Sequence, residues 1–266
     1  MKIGIVGCAG RMGRMLVSEV LAEDGLALAG GAESPGHAAL GQDVAALAGA
    51  EAAGIAVSDD IAALFAASDA VIDFTVPATA QTHAKLAADH GAALVLGTTG
   101  LSADDQRAVK AAAKNIPVVQ AANMSVGVNL LLGLAERVAG LLGEEYDIEI
   151  VEMHHRHKID APSGTALALG RAAAAGRKVD LDKTSVRSRD GITGPRAHGA
   201  IGFASLRGGD VVGDHSVIFA ADGERIELTH KASSRAVFAK GAVRAARWTE
   251  GRAAGLYSMR DVLGFS

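Results

Sequence analysis

The chain has 266 residues, of which 49% are hydrophobic, 21% charged and 3% aromatic, and its formal net charge is −4. This composition can bury an ordinary core, which we divide between two modest domains, whereas the slight negative charge and the scarcity of aromatic residues argue against a nucleic-acid-binding protein. A single cysteine excludes a disulfide framework within the chain, and because neither a signal-peptide pattern nor a long apolar span is present, we expect a cytoplasmic protein without membrane association.

The first predicted elements are a strand, a glycine turn and a helix. The strand covers residues 3–6, and the helix follows the turn at once. The turn has the spacing G-x-x-G-x-x-G, formed by Gly7, Gly10 and Gly13. Glycines at this spacing permit a tight turn and let a pyrophosphate approach a helix N-terminus. A second strand is predicted at 26–32, and Glu33 stands where an acidic residue would hold ribose hydroxyls, so this half of the chain is predicted to bind a dinucleotide.

Strands and helices alternate up to residue 125, which is typical of a Rossmann-like, doubly wound parallel sheet. Further strands are predicted at 55–57, 70–75, 92–96 and 117–119, and helices at 61–67, at 77–90 and after Ser102, which forms a cap with Asp105. The segments 97–100 and 120–125 follow strands and would lie at the sheet edge where ligands bind. The first of them is equally well explained as a plain turn. Cys8, inside the glycine turn, is interpreted as a small packed side chain without a catalytic role.

From residue 126 the predicted elements indicate an α+β domain with a mixed sheet. Helices are predicted at 126–143, 163–175, 235–248 and 256–263, and strands at 146–155, 186–188, 201–206, 211–220 and 224–231. Asp222-Gly223, between the last two strands, indicates a hairpin. A flat sheet of this kind needs covering on one face, and pairing with copies of the chain is one way to cover it.

The segment 152–166, E-M-H-H-R-H-K-I-D-A-P-S-G-T-A, concentrates side chains that exchange protons or bind anions. Its first half holds three histidines, an arginine and a lysine, and imidazole and ammonium groups can transfer protons near neutral pH. If this half stays extended, His154, Arg156 and Lys158 share one face of the strand, while His155 and His157 share the other.

The second half of this segment predicts a helix start. Pro162 suits such a start, with either Asp160 or Ser163 as the N-cap. Unpaired N–H groups at a helix start attract a small anion, the hydroxyls of Ser163 and Thr165 can add hydrogen bonds, and Gly164 lets a ligand approach the backbone. The two halves together predict a proton-transfer site beside an anion site.

Two other interpretations of this cluster stay open. A basic edge strand is often no more than a solvated face. A metal site would need Glu152 together with a distant histidine, either His198, His215 or His230, because zinc ligands converge from one face or from separate elements. We favour the proton-transfer site and predict no metal.

Five motifs of the chain are typical of one known family. They are G-C-A-G-R-M-G at 7–13, Glu33, G-T-T-G at 97–100, A-A-N-M-S at 121–125 and H-H-R-H-K-I-D-A-P-S-G-T-A at 154–166. With them the chain resembles, over nearly its whole length, the 4-hydroxy-tetrahydrodipicolinate reductase (dihydrodipicolinate reductase) family. The last motif is highly specific to that family. The resemblance implies NADH- or NADPH-dependent reduction of a cyclic imine dicarboxylate to tetrahydrodipicolinate, in diaminopimelate and lysine biosynthesis, by a homotetramer.

The resemblance also implies a role for each matching residue. His154 would donate or accept a proton, Lys158 would donate a proton and contact a carboxylate, and His155 would touch the substrate. A substrate carboxylate would be held by Ser163, Gly164 and Thr165. The cofactor would contact Gly7, Cys8, Ala9, Gly10, Arg11, Met12, Glu33, Gly97, Thr98, Thr99, Ala121, Ala122, Asn123 and Met124. Many members carry an arginine directly after the acidic ribose residue, where this chain has Ser34.

The predicted domains are a dinucleotide-binding domain at 1–125, joined by the C-terminal segment 235–266, and a substrate-binding and tetramerisation domain at 126–234. Two rival functions remain. A sugar- or inositol-type dehydrogenase shares this two-domain plan but would lack the S-G-T anion site. A regulator that binds the nucleotide without turnover would need no proton-transfer cluster.

Overall fold

The structure is a computed structural model that describes residues 1–265, and its strands form sheets in two units. One unit joins Met1–Val126 to residues 236–265, and the other is Gly127–Arg235. The domain boundaries predicted from the sequence lie after residues 125 and 234. Over the described residues, no helix is both long enough and apolar enough to span a membrane.

The elements are numbered in chain order. The strands are β1 (Lys2–Val6), β2 (Ala27–Ala32), β3 (Ala70–Asp73), β4 (Ala93–Leu96), β5 (Pro117–Gln120), β6 (Asp147–His154), β7 (Ser185–Val186), β8 (Ile201–Arg207), β9 (Gly213–Ala221), β10 (Glu224–Ala232) and β11 (Gly255–Tyr257). The helices are α1 (Arg11–Ala22), α2 (Val44–Leu47), α3 (Ile61–Ala67), α4 (Ala80–His90), α5 (Ala103–Ala112), α6 (Val126–Leu141), α7 (Gly164–Arg177), α8 (Leu181–Thr184), α9 (Ala236–Trp248) and α10 (Met259–Leu263). A 3₁₀ turn, Pro77–Thr79, precedes α4.

The first unit contains the predicted parallel sheet, in the strand order β11-β5-β4-β3-β1-β2. Ile3, Ile5 and Ile72 face a core shared with α1 and α9, whereas Val71 and Leu94 face a core shared with α4 and α5. Burial on both faces is what makes these strands short apolar runs in the sequence. Because all the strands run in the same direction, the loops that follow them lie along one edge of the sheet.

The second unit contains the predicted mixed sheet, in the order β10-β9-β6-β8-β7. The central strand β6 runs parallel to β8 and antiparallel to β9. Ile148, Ile150 and Phe219 face a core formed with α6 and α7. The hairpin predicted at Asp222-Gly223 is confirmed, because Ala221 and Glu224 pair across that turn.

The strand predicted at 55–57 is wrong. This segment makes one isolated bridge, which joins Ala56 to Asp43, and the residue after the segment, Ser58, makes another with Ala32. The Asp43 carboxylate accepts hydrogen bonds from the N–H groups of Ala53 and Ile55, at 3.3 and 3.1 Å. A side chain, and not a neighbouring strand, therefore accepts these backbone hydrogen bonds. The short helices α2 and α8 are not predicted because each has only 4 residues, too few to show a periodic pattern.

The helix predicted at 256–263 is confirmed for its second part, which is α10, and is wrong for its first part. Its first part belongs to β11, which extends the sheet by pairing with Pro117–Val119 on the open edge of β5. The helix α10 begins only after Ser258, whose hydroxyl caps it while Asp261 completes a capping box.

Candidate active site

The strand β6 ends at His154, and the chain turns there instead of staying extended. The backbone N–H of His155 donates to Val211 O at 2.7 Å, and that of Lys158 donates to His155 O at 3.1 Å, which closes the turn. The interpretation that places His154, Arg156 and Lys158 on one face of a strand is therefore wrong, because only the first of them belongs to the strand.

The carboxylate of Glu152 is the centre of a buried hydrogen-bond network, and the residue is only 1% exposed. Arg207 donates to both carboxylate oxygens, at 2.8 and 2.9 Å. His154 Nδ1 lies 2.5 Å from Oε2, and the backbone N–H of Ser163 donates to Oε1 at 3.2 Å. A charge buried this deeply is costly unless it is paired and hydrogen-bonded, and Glu152 meets both conditions.

Opposing effects set the ionisation of this pair. Burial works against the ionisation of Glu152, but hydrogen bonds from Arg207, Ser205 and His154 outweigh it and hold the pKa of this carboxyl below its usual value. Burial lowers the pKa of His154 below its usual value, with a contribution from Lys158 and Arg207, although the Glu152 carboxylate acts in the opposite direction. At neutral pH the site therefore holds the Glu152 anion beside an uncharged His154 ring.

The start of α7 is capped by Ser163, whose hydroxyl oxygen accepts from Ala166 N at 3.1 Å and lies 3.1 Å from His215 Nε2. Because Ser163 is only 1% exposed, the accessible part of the helix start is Gly164 and part of Thr165. A Cβ placed on Gly164 would have free space around it. Apart from the two chain neighbours and the backbone of the same helix, no heavy atom of the described residues would lie within 4 Å of it. An anion can therefore approach this turn closely.

Lys158 lies in the loop between β6 and α7, with its ammonium nitrogen 2.8 Å from Asp160 Oδ1. This hydrogen bond lowers the pKa of Asp160, so that carboxyl is ionised at neutral pH. Arg207 donates to the carbonyl oxygen of Asp160 at 2.6 Å and ties the same loop to β8. Asp160 thus holds Lys158 and is not the helix cap. His155 has a buried Nδ1 without a hydrogen-bond partner among residues 1–265.

Arg207 and His215 belong to the site, although the sequence indicates His215 only as a possible metal ligand beside Glu152 and does not indicate Arg207. The strands β8 and β9 flank β6 and place Arg207 opposite His154, and His215 opposite Glu152. The His215 ring packs edge-on against His154, with ring centroids 5.0 Å apart. Burial, together with the neighbouring His154, lowers the pKa of His215 to about 4. Within residues 1–265, no group of three or more His, Cys, Asp or Glu side chains is placed to hold a metal ion.

The glycine turn after β1 fits the phosphates of a dinucleotide. Gly7 has a φ of +68°, and a Cβ on Gly13 would lie 2.0 Å from Gly7 O, so neither position accepts a side chain. Gly10 is the N-cap of α1 and leaves the first N–H groups of that helix open to a phosphate. Glu33 Oε1 accepts from Ala9 N at 2.9 Å, which holds the carboxylate against the turn, where it can meet ribose hydroxyls.

Side chains within the glycine turn differ in exposure, and therefore in whether they can contact a bound nucleotide. Cys8 is 1% exposed and packs against Gly31, and burial raises the pKa of its thiol to about 11. It can therefore contribute to a nucleotide site only through its backbone. Met12 is half-buried against the core of the unit, whereas Arg11 is exposed.

The loops after β3 and β4 are joined through Asp73, which is fully buried. Its Oδ1 accepts from Thr75 N at 2.8 Å and from Thr98 Oγ1 at 3.2 Å, and its Oδ2 lies 2.8 Å from His83 Nδ1. The Thr98 side chain is thus committed to the protein interior, while Thr99 is exposed and Gly97 is half-buried.

The segment after β5 is held by Asn123, whose Oδ1 accepts from Ser125 N at 2.8 Å. Met124 is 1% exposed and packs in the core, so its backbone is the part that faces the sheet edge. Ala121 is half-buried and Ala122 is exposed. The predicted cofactor residues therefore follow β1, β2, β4 and β5, at the end of the sheet where such folds bind nucleotides.

Two family models together match almost the whole chain. The model described as "Dihydrodipicolinate reductase, N-terminus" matches residues 1–124, and the one described as "Dihydrodipicolinate reductase, C-terminus" matches residues 127–263. The two matches meet close to the boundary between the two units.

Individual proteins agree with these matches. A protein of Rhodopseudomonas palustris (strain BisB5), named 4-hydroxy-tetrahydrodipicolinate reductase, is 55% identical over 266 residues, which are 100% of this chain and 98% of the relative. A protein of Afipia carboxidovorans with the same name is 56% identical over 264 residues, covering 99% and 97%. The solved structure of a dipicolinate-bound dihydrodipicolinate reductase from Paenisporosarcina sp. TG-14 has the same fold, with a TM-score of 0.77, 23% identity and 97% coverage of both chains. The chain therefore belongs to the dihydrodipicolinate reductase family.

Proposed function

We propose that this protein reduces 4-hydroxy-tetrahydrodipicolinate, which loses water to form the unsaturated ring of dihydrodipicolinate, to tetrahydrodipicolinate in diaminopimelate and lysine biosynthesis. Its close relatives are named for this reaction, and the family uses NADH or NADPH. One observation carries the proposal: the Lys158 loop connects the buried His154 directly to the accessible helix start at Gly164, in the segment most specific to the family.

The residues of this site divide into proton transfer and binding. The nicotinamide nucleotide supplies the hydride when it is bound. The hydroxyl of the substrate leaves as water, and hydride addition to the unsaturated ring that remains leaves negative charge that a proton must neutralise. The Lys158 ammonium donates that proton, while His154 donates or accepts one through its ring. The N–H groups at Gly164 and Thr165 bind one substrate carboxylate, and Ser163 keeps their turn in shape as the N-cap.

Other residues complete the two binding sites. His155, with its unpaired buried ring nitrogen, contacts the substrate. The turn from Gly7 to Met12 holds the pyrophosphate, and Glu33 accepts from the ribose hydroxyls. The segments 97–99 and 121–124 line the rest of the nucleotide site.

An assay of NADH consumption separates this function from the two rivals. With 4-hydroxy-tetrahydrodipicolinate we expect turnover, measured as the loss of absorbance of the reduced nicotinamide. A sugar- or inositol-type dehydrogenase would instead be active with polyols and NAD, and a nucleotide-sensing regulator would bind NADH without consuming it. Either of those results would refute the proposed reaction.

We predict that NADH serves this protein at least as well as NADPH. The Glu33 carboxylate accepts from the ribose hydroxyls of NADH but repels a 2′-phosphate, and Ser34 offers no positive charge to compensate. Arg14 cannot easily compensate either, because its Nε donates to Ala9 O at 2.8 Å. The exposed Arg11 and the Ser34 hydroxyl keep NADPH usable, so kcat/KM should favour NADH by a few-fold to about 100-fold.

The Ser34→Arg variant should shift this preference toward NADPH, because it adds the missing charge. Both cofactors must be compared at one salt concentration, since screening weakens the phosphate interaction. Ser18→Arg is a control that adds the same charge at another exposed serine, two turns into α1 and away from Glu33, and it should leave the ratio nearer to that of the wild type. A tenfold or larger preference of the wild type for NADPH would contradict this assignment and would point to Arg11 instead.

The family resemblance also leads us to propose a cytoplasmic homotetramer. In β6, Ile148 and Ile150 are buried beneath the helices, whereas Val151 and Met153 on the opposite face are only half-buried, and Leu206 on β8 is 50% exposed. Pairing of this face with the same face of other copies would bury these side chains. Sedimentation equilibrium should give about four times the chain mass of 26.9 kDa, and a monomer would contradict the proposal.

A further inference from the structure

We propose that Glu152 is a positioning residue that fixes two parts of the site at once. It holds the His154 ring in the tautomer with the proton on Nδ1, which leaves Nε2 for proton exchange, and it anchors the start of α7. The roles of these two parts rest on the proposed function, but their attachment to one carboxylate rests on the hydrogen bonds alone.

Strand geometry brings the two side chains together. Glu152 and His154 are two residues apart on β6, so both point to the same face of the sheet. On the flanking strands, Arg207 lies opposite His154, and His215 lies opposite Glu152. Glu152 therefore stands between an arginine that fixes its charge and the histidine whose ring it orients.

The hydrogen bond to Glu152 determines which nitrogen of His154 carries the proton. A carboxylate can only accept, and Oε2 lies 2.5 Å from Nδ1, so the neutral ring must place its proton on Nδ1. The lone pair is then on Nε2. A Cβ at Gly213 would lie 3.0 Å from His154 Nε2, so this glycine on β9 keeps that side of the ring from being crowded.

The other carboxylate oxygen organises the anion site. Oε1 accepts from the backbone N–H of Ser163 at 3.2 Å and from Arg207 at 2.8 Å. The same Arg207 nitrogen donates to Asp160 O at 2.6 Å. Glu152 and Arg207 together thus tie both ends of the segment 160–163 to the sheet, and this segment leads from Lys158 into α7.

Removal of the Glu152 charge should remove the main anionic influence on His154. The charged and titratable groups that act on this ring are Glu152 on its own strand, Lys158 in the following loop, Arg207 on β8 and His215 on β9. Of these four groups, Glu152 is the one that favours the protonated ring. In Glu152→Gln, the midpoint of the His154 titration should therefore fall by about 1 to 3 pH units.

The test is NMR spectroscopy of the histidine side chains in the ligand-free protein. Long-range ¹H–¹⁵N correlation distinguishes a protonated from an unprotonated ring nitrogen, and the His154 signals are identified by their loss in His154→Gln. At a pH above its titration, wild-type His154 should have its proton on Nδ1. The titration is then recorded for Glu152→Gln.

Glu149→Gln is the matched control. Glu149 lies on the same strand but on the opposite face, and it accepts hydrogen bonds from Arg189 and Arg196 at 2.7 to 2.9 Å. The Glu149→Gln change removes a comparable carboxylate–arginine pair and leaves the contacts of His154 and α7 unchanged. The His154 titration should therefore match that of the wild type in this variant.

Two results would overturn the proposal: a proton on Nε2 of neutral wild-type His154, or equal shifts of the His154 titration in the two glutamine variants. If Glu152→Gln does not fold, the wild-type tautomer alone decides. The experiment involves no turnover, so a protein that failed to reduce the proposed substrate would refute the proposed function and leave this result intact.

Discussion

Replacement of Lys158 by alanine should lower kcat by about 100- to 10,000-fold, which is the usual contribution of a general acid. The ammonium group is held 2.8 Å from Asp160 Oδ1, in a loop that Arg207 also ties down, so the donor is already positioned before substrate binds. Steady-state kinetics must give kcat and KM separately, because the loss of a binding contact alone would raise only KM.

Lys183→Ala is a suitable control for this variant. Lys183 also lies next to an aspartate, with its ammonium nitrogen 3.8 Å from Asp180 Oδ2, but it is exposed on the short helix α8. Its removal should leave kcat and KM near the wild-type values. If Lys158→Ala kept the wild-type kcat and changed only KM, Lys158 would be a binding residue and the proton would come from elsewhere.

Replacement of His154 by glutamine should lower kcat over the same range, about 100- to 10,000-fold. Glutamine keeps a hydrogen-bonding side chain on β6 but cannot exchange a proton, and His154 is the ring that Glu152 orients at 2.5 Å. His157→Gln, three residues beyond the end of the strand and exposed, should have little effect on kcat.

The helix start should respond differently from these two residues. Thr165→Val removes a hydroxyl from the accessible part of the turn at the start of α7 and should mainly raise KM. A drop in kcat alone for Thr165→Val, combined with a rise in KM alone for His154→Gln, would reverse the assigned roles of proton transfer and carboxylate binding.

Most of the first unit could be predicted because its signals are local. Parallel strands buried on both faces give short apolar runs, the glycine turn follows β1 directly, and Ser102 with Asp105 forms the predicted capping box. The errors arise where a distant partner decides the local structure. Gly255–Tyr257 becomes a strand only because the edge of β5 is open to it, and no pattern in 3 residues reveals that edge.

In the candidate site, too, the residues with local sequence signals could be predicted and those brought in by distant strands could not. His154, Lys158 and Gly164 lie within one short segment and could be predicted from it. Arg207 and His215 come from β8 and β9, and only the pairing of these strands with β6 brings them into the site. One signal was available for Glu152, because its spacing of two residues from His154 places both on one face of a strand.

Transfer of deuterium from labelled cofactor is the most direct test of the proposed reduction. The protein would be given 4-hydroxy-tetrahydrodipicolinate with NADH carrying deuterium at C4, in separate reactions with each of the two stereospecifically labelled forms, and the product examined by mass spectrometry. We expect one form, and only one, to give tetrahydrodipicolinate that contains a single deuterium, because a bound cofactor presents one face to its substrate. Product without deuterium from both forms, or oxidation of NADH without formation of tetrahydrodipicolinate, would contradict hydride transfer to this substrate.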